Sequence, residues 1–394
     1  MSLDFQQVHE QVRKLGDNAI IREQRLKSLR QKAQDLLKEH AQDLDGLCDR
    51  IELVVNNYDS TLRCALPVSE NLDAYFPLPP LPGKATILAA DGSQINPDRH
   101  EPVEYCLINF GAIRMHYGEP DTPQPIIESK LLYGDQLYTT TGTLTEAALA
   151  LTRDLNERTL LAQIAINTPA PVITFTDGQM ELYGARIGEE QTLAEFQKSL
   201  EAYIKVLSDL NTHQVITAGY IDKPGADLVV RLLEIADASE SDLADIHRIR
   251  QLRGVRDVDL FYTMLQPGDR SSVFALQSKS TAYYKDELAL HFFYLNVGRE
   301  GHPWLSRVEV PAWVAGNREM LDNLHAVLVH QCRMMGSRPY PYLLHRAHEA
   351  AVVSLQEKEQ VTQMIALELR KRGVIVGEQS YKQAAKDSAA RTRY

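Results

Sequence analysis

The chain has 394 residues, 44% of them hydrophobic, and a formal net charge of −11. That length allows one large domain with appendages or two ordinary ones. The acidic balance argues against a broad, nonspecific grip on nucleic acid while leaving room for a local channel. No apolar run approaches the roughly 20 residues of a membrane-spanning helix, so no membrane partner is expected. The N-terminus lacks a basic end followed by an apolar stretch, which predicts no signal peptide and a cytoplasmic location. Cys48, Cys64, Cys106 and Cys332 lie far apart with no CxxC pair. They read as buried free thiols rather than a zinc site or a disulfide framework.

Taken in order, residues 1 to about 57 carry Leu26, Leu29, Ala33, Leu36, Leu44, Leu47, Ile51 and Val54 at spacings of three and four. This predicts one or two long helices whose stripe packs on the main body or, as an arm, on a second copy. The run from Phe76 to Gly83 is a proline-rich connector, unsuited to helix or sheet interior. Ala85 to Ala90 then reads as a strand buried on both faces and ending on Asp91, with Gly92 allowing a sharp turn and a close approach to a neighbour. Val103 to Tyr117 and Pro125 to Tyr133 predict two further strands of a meander. Thr143-Leu-Thr-Glu146 has the form of a capping box, opening a helix to about Asn167. Pro169 and Pro171 stop it, and Pro171-Val-Ile-Thr-Phe-Thr-Asp177-Gly178 repeats the phrase of a strand ending in Asp-Gly.

A helix over 190–210, a strand over 213–222, a turn at Lys223-Pro224-Gly225 and a helix over 226–235 follow. The order β-β-β-α-β-α-β-α predicts an α/β fold with a ribonuclease-H-like mixed sheet and flanking helices. Residues 238–268 read as a helical, irregular insertion. Strands over 271–277, 288–297 and 305–314 and helices over 318–335 and 341–372 complete the chain.

Two strands ending in Asp-Gly can bring Asp91 and Asp177 to one end of one sheet. Carboxylates side by side repel and take up protons unless a cation neutralises them. Oxygen-only ligation favours Mg²⁺ or Mn²⁺ over zinc. On the helix before Asp177, Glu157 shares an apolar sector with Ala150, Leu161 and Ile164 and so points toward the sheet. Arg153, four residues earlier, is a candidate ion-pair partner, and Glu146 is the alternative acid on the same face. His345 and His348 form an i,i+3 pair, one of which can face a cleft; an imidazole beside carboxylates suits Mn²⁺. His247, Arg248, Arg250, Arg253 and Arg256 make a basic cluster, Arg370, Lys371 and Arg372 a second, and Lys382, Lys386, Arg391 and Arg393 punctuate the tail. Charge runs of this kind are ordinarily solvated faces.

Five phrases in this order resemble the NurA nucleases of DNA end resection: Ala90-Asp91-Gly92-Ser93, Arg153-x-x-x-Glu157, Thr176-Asp177-Gly178, Tyr220-Ile-Asp-Lys223-Pro and Tyr340-Pro-Tyr-x-Leu-x-x-Ala-His348. The resemblance covers about residues 85 to 355. It implies a ribonuclease-H-like fold, a homodimer, and Mn²⁺-dependent 5′-to-3′ exonuclease and single-strand endonuclease activity on DNA. Partnership with a hexameric HerA-type ATPase translocase is implied too. Asp91, Glu157 and Asp177 match the family's acidic metal ligands, His348 its histidine and Tyr340 its active-site tyrosine. The expected layout is an N-terminal helical extension with connector over 1–80 and a nuclease domain over 81–394. Within the latter, the core spans about 84–237, the insertion 238–268 and the C-terminal strands and helices 269–394. Lys223, Arg248, Arg250 and Arg253 are expected to line the path of single-stranded or duplex-end DNA. Two other classes compete: a non-catalytic docking subunit of a ring translocase, and an actin-like ATPase, which lacks a glycine-rich phosphate loop here.

Overall fold

A computed structural model of the chain describes residues 3–139, 142–182 and 190–377. The basic tail positions Lys382, Lys386, Arg391 and Arg393 lie outside them. The chain divides into two compact units, one of residues 82–219 with 340–394, the other of residues 1–81 with 220–339.

The first unit is built on β1 (Ala85–Ile95), β2 (Tyr105–Tyr117) and β3 (Gln124–Tyr133), an antiparallel meander. Helix α1 (Glu146–Ile166) leads into β4 (Val172–Asp177), and α2 (Glu190–Thr212) into β5 (Ile216–Ile221), within which the chain passes to the other unit. The strand order is β5-β4-β1-β2-β3, with β4 parallel to β1. Three antiparallel strands followed by parallel pairing through a helical crossover is the ribonuclease-H-like arrangement, as the order of elements predicted. After its return the chain forms α3 (Tyr342–Ala351) and α4 (Leu355–Lys371).

The sheet is covered on both faces, which is why β1 and β2 read as unbroken apolar runs. On one face Cys106, Ile108 and Phe110 of β2 pack with Leu137 and with Leu149 of α1. On the other, α3 lies so close that a Cβ at Gly111 would stand 2.7 Å from the Ala351 backbone nitrogen. Ser93 Oγ and Asn109 Nδ2 donate to the Ala351 carbonyl at 2.5 and 2.8 Å, fastening the end of α3 to the sheet.

Several local expectations are corrected. β1 does not end at Asp91; it runs to Ile95, because β2 continues to pair it as far as Ile95–Leu107. What ends near Asp91 is the pairing with β4, whose last partners are Ala90 and Thr176. The α1 cap is Thr145, whose hydroxyl accepts from Ala148 N at 3.2 Å, rather than Thr143. The helix expected over 341–372 is two, since Ser354 caps α4 with Glu357 in a reciprocal capping box. The strand expected over 305–314 stops at Pro311, and Ala312–Ala315 forms a short helix.

In the other unit the N-terminal stripe folds as helices Phe5–Glu39 and Leu44–Asn57, burying Ala33, Leu36, Leu47, Ile51 and Val54. An antiparallel sheet places Cys64–Pro67 beside Phe274–Gln277, then Leu290–Asn296, then Leu305–Pro311. Its interior charges are all partnered. Glu234, fully buried, accepts from Arg231 at 2.9 Å, Arg250 at 2.9 Å and Leu252 N at 2.8 Å. Asp257 accepts from Val230 N at 2.9 Å and the Tyr294 hydroxyl at 2.7 Å. Arg270, fully buried, grips Glu70 with both terminal nitrogens and lies 3.8 Å from the Phe76 ring centroid. All four cysteines are free thiols, three of them buried.

Candidate active site

The site is assembled around the middle of β1. Burial along the strand changes from complete over 85–90 to partial from Asp91 onward, because there β1 outruns β4. The register that pairs Ala90 with Thr176 sets Asp177 opposite Asp91 at the next step. Neighbouring strands lie about 4.8 Å apart, so two acidic residues begin side by side at the carboxyl end of β4. Asp177 is exposed, and Gly178 after it turns the chain at φ +88°, as the Asp-Gly signal indicated.

Alternation along β1 directs Gly92 toward α1 and both Asp91 and Ser93 toward α3. A Cβ at Gly92 would stand 2.7 Å from Arg153 Cγ and 3.4 Å from Glu157 Oε2. This glycine therefore serves close approach rather than a turn: its missing side chain admits the Arg153 stem of α1, and the Glu157 carboxylate lies in contact beside it. Glu157 is only 8% exposed. Burial pushes its carboxyl well above the usual range, and the Asp91 charge raises it further. Arg153 does not neutralise it through the expected i,i+4 pair; its guanidinium bonds Asp154 at 2.8 Å. Glu146, the alternative acid, is exposed in the first turn of α1.

From the opposite face, α3 brings His348 to Asp91, with Nδ1 2.7 Å from Oδ2. Asp91 Oδ1 accepts from Gly92 N at 2.8 Å. The imidazole is 61% exposed, so it is anchored at one nitrogen and open at the other end. His345, the less exposed of the pair, lies 3.4 Å from Glu349 on its own helix. Tyr340, half-buried, precedes α3 by two residues.

Asp91, Glu157 and His348 are thus drawn together from a strand and two helices, and Asp177 from the neighbouring strand. Among the described residues, no three His, Cys, Asp or Glu side chains form a ready-made metal cage. The donors nonetheless fit a hard divalent cation in kind. A buried carboxylate, Glu157, is raised by burial and by the Asp91 charge beside it, and an imidazole stands at the edge.

Of the basic candidates, Lys223, Arg248, Arg250 and Arg253 belong to the other unit. Arg250 is engaged in structure, paired with Asp227 and with buried Glu234. Arg248 is largely exposed, 4.0 Å from Asp245, and Arg253 is exposed as well. Lys223 places Nζ 4.6 Å from the centroid of the Trp304 ring, and its own φ is +48°. Arg370, Lys371 and Arg372 close α4, two of them near Glu368. Sequence reasoning missed Trp304 and the structural duty of Arg250; an acid such as Glu234 in an otherwise apolar helix was the available signal.

Fold and site together define a ribonuclease-H-like α/β protein with acidic residues converging at a sheet end. Residues 85–353, well over half of the chain, match the NurA domain model. The chain belongs to the NurA domain family. Among solved structures it is similar to the NurA nuclease from Sulfolobus solfataricus, with 12% identity over 76% of this chain and 88% of that one and a TM-score of 0.47. It is also similar to the catalytic domain of human Endonuclease V, with 15% identity over 72% and 85% and a TM-score of 0.30. No curated protein matches the chain in sequence. No helix among the described residues is long and apolar enough to cross a membrane.

Proposed function

We propose that the chain is a divalent-metal-dependent DNA nuclease. The observation that carries this reading is the placement of Glu157, buried against Gly92 and raised by Asp91, beside a strand register that sets Asp177 next to Asp91. Asp91, Glu157, Asp177 and His348 would hold the cation. When bound, Mn²⁺ (or Mg²⁺) activates water and stabilises the charge of a phosphodiester undergoing in-line attack. The protein's part is to keep that charge placed. Asp91 fixes the imidazole at Nδ1, Gly92 leaves room for the Arg153 stem beside Glu157, and the packing of α3 on Gly111 holds His348 at its station. Tyr340, at the mouth of α3, would orient a phosphate or the nucleophile.

Membership in the NurA family supports DNA as the substrate, with 5′-to-3′ exonuclease and single-strand endonuclease cleavage in the repair of broken ends. It likewise supports a homodimer working with a HerA-type ATPase in the cytoplasm. Exposed Arg248, Arg253 and Lys223 would contact the strand, so each alanine change should lower the salt dependence of DNA binding by about one counterion.

Linear single-stranded DNA and plasmid incubated with Mn²⁺, Mg²⁺ or EDTA test the reading. Cleavage should require metal and should fall by roughly a thousandfold or more in Asp91→Ala. Unchanged cleavage by a clean Asp91→Ala preparation would refute the assignment. DNA or translocase binding by a wild-type chain with no cleavage under any metal would instead favour a docking subunit.

A further inference from the structure

The unit formed by residues 1–81 and 220–339 contains a cavity of about 570 Å³ that the carboxylate site does not use. Its volume lies within the range of small-ligand sites, about 300–1,000 Å³. Two aromatic residues, Tyr262 and Trp304, line it together with three basic ones, Arg299, His302 and Arg333. Glu300 is the one acidic residue in the wall.

The wall is built, not incidental. Residues 297–304 form the hairpin loop between strands Leu290–Asn296 and Leu305–Pro311, and the loop is closed on itself. Val297 N donates to Trp304 O at 2.9 Å, and Arg299 and His302 exchange backbone hydrogen bonds at 3.1 and 2.9 Å. Asn296 Oδ1 receives the amides of Gly298 and Trp304 at 3.0 and 3.1 Å. Any Cβ at Gly298 would lie 2.4 Å from His302 O and Trp304 N, so only glycine closes this loop. The Trp304 indole is held by a 2.6 Å hydrogen bond to Asp222, with Lys223 over its ring. Arg333 leans on Gly268, whose φ is +99° and whose added Cβ would meet Nη2 at 3.3 Å. Among the described residues, neither Arg299 nor Arg333 makes a salt bridge.

We propose that this cavity binds a nucleotide bearing a terminal phosphate, with its base against Trp304 and Tyr262 and its phosphate held by Arg299 and Arg333. Aromatic stacking accepts any base, because every base has a π face. Paired guanidiniums suit a terminal phosphate monoester, which carries about −1.5 to −2 charge at neutral pH, better than a singly charged internal diester. The choice of a nucleotide over another phosphate ester rests on the nuclease reading. The same chemistry comes from two sources, a free deoxynucleotide product or the phosphorylated end of a strand.

The full chain in EDTA, where nothing is cleaved, is titrated with dAMP and followed by tryptophan fluorescence. The chain has two tryptophans and Trp313 is only 6% exposed, so a ligand-dependent change belongs to Trp304 and should vanish in Trp304→Phe. Saturable quenching is expected. Arg299→Ala and Arg333→Ala should each weaken it roughly tenfold, and deoxyadenosine or inorganic phosphate alone should bind at least about tenfold more weakly than dAMP. Both arginines are exposed, so folding is not at stake, and circular dichroism verifies it. Preference for a 5′-phosphorylated over a 5′-hydroxyl oligothymidylate assigns the site to a strand end; binding of dAMP alone assigns it to free nucleotide. Absence of a saturable response, or arginine variants that bind dAMP as the wild type does, overturns the proposal. Because no metal is present, failure here leaves the cleavage assay untouched, and a chain without cleavage can still bind dAMP.

Discussion

The two units treat buried charge in opposite ways. In the unit of residues 1–81 and 220–339, Glu234 receives two guanidiniums and a backbone amide, and Arg270 meets Glu70 and Phe76. In the other unit, Glu157 is buried beside another acid, Asp91, while Arg153 turns to Asp154. Removing an ionised group from water costs several kcal/mol in either place. Where local partners offset that cost, the charge serves the fold. Where they do not, the group is held uncharged, as the raised Glu157 carboxyl is, and a divalent cation bound there, as proposed, would offset its charge.

Substitutions can break this contrast. The largest effect is expected for Glu157→Ala, which should cut metal-dependent cleavage by about a thousandfold while leaving the melting temperature at or above that of the metal-free wild type. A variant that unfolds would place Glu157 with the structural charges instead. Next comes Glu234→Ala, which leaves buried Arg231 without its carboxylate and Arg250 with Asp227 alone. It should cost about 3–5 kcal/mol in urea unfolding, and a loss below about 1 kcal/mol would deny the network its structural role. Smaller is Gly92→Ala. The new methyl must displace Arg153 Cγ at 2.7 Å and press on Glu157, at about 1–3 kcal/mol, and it should lower cleavage by shifting the acid; full activity would show that the glycine gap is not needed.

The gentlest change sharpens the comparison through pH. A carboxyl whose folded pKa is raised contributes stability fully below its unfolded value of about 4.3, and that contribution is lost as pH rises through the folded pKa. The metal-free protein should therefore weaken with rising pH across this window, and Glu157→Gln should remove the slope and raise Tm by a few degrees at neutral pH. Equal slopes in wild type and variant would mean that Glu157 is not held uncharged.

Much of this was legible in the sequence where the signal is local. The two Asp-Gly phrases, the meander and the crossover helix all follow from apolar runs and breakers, and the heptad-like stripe foretold the N-terminal helices. The capping pair Ser354 and Glu357 was equally available as a helix start, yet the apolar spacing runs through it and hides the break. Gly92 was half legible: the glycine announced a close approach, but the strand does not turn there, and only tertiary packing shows the Arg153 stem occupying the space a side chain would take, with Glu157 beside it. Arg250 had the look of a solvated cationic run, since its partners Asp227 and Glu234 come from another element. Likewise, no local pattern tells that residues 220–339 pack with residues 1–81.

Mn²⁺ titration of the full chain, read by electron paramagnetic resonance of the free ion, tests the central claim most directly. Wild type should take up Mn²⁺ saturably, and Asp91→Asn and Glu157→Gln should each lose most of that uptake while remaining folded. Mn²⁺ uptake that is the same in all three proteins would contradict the account.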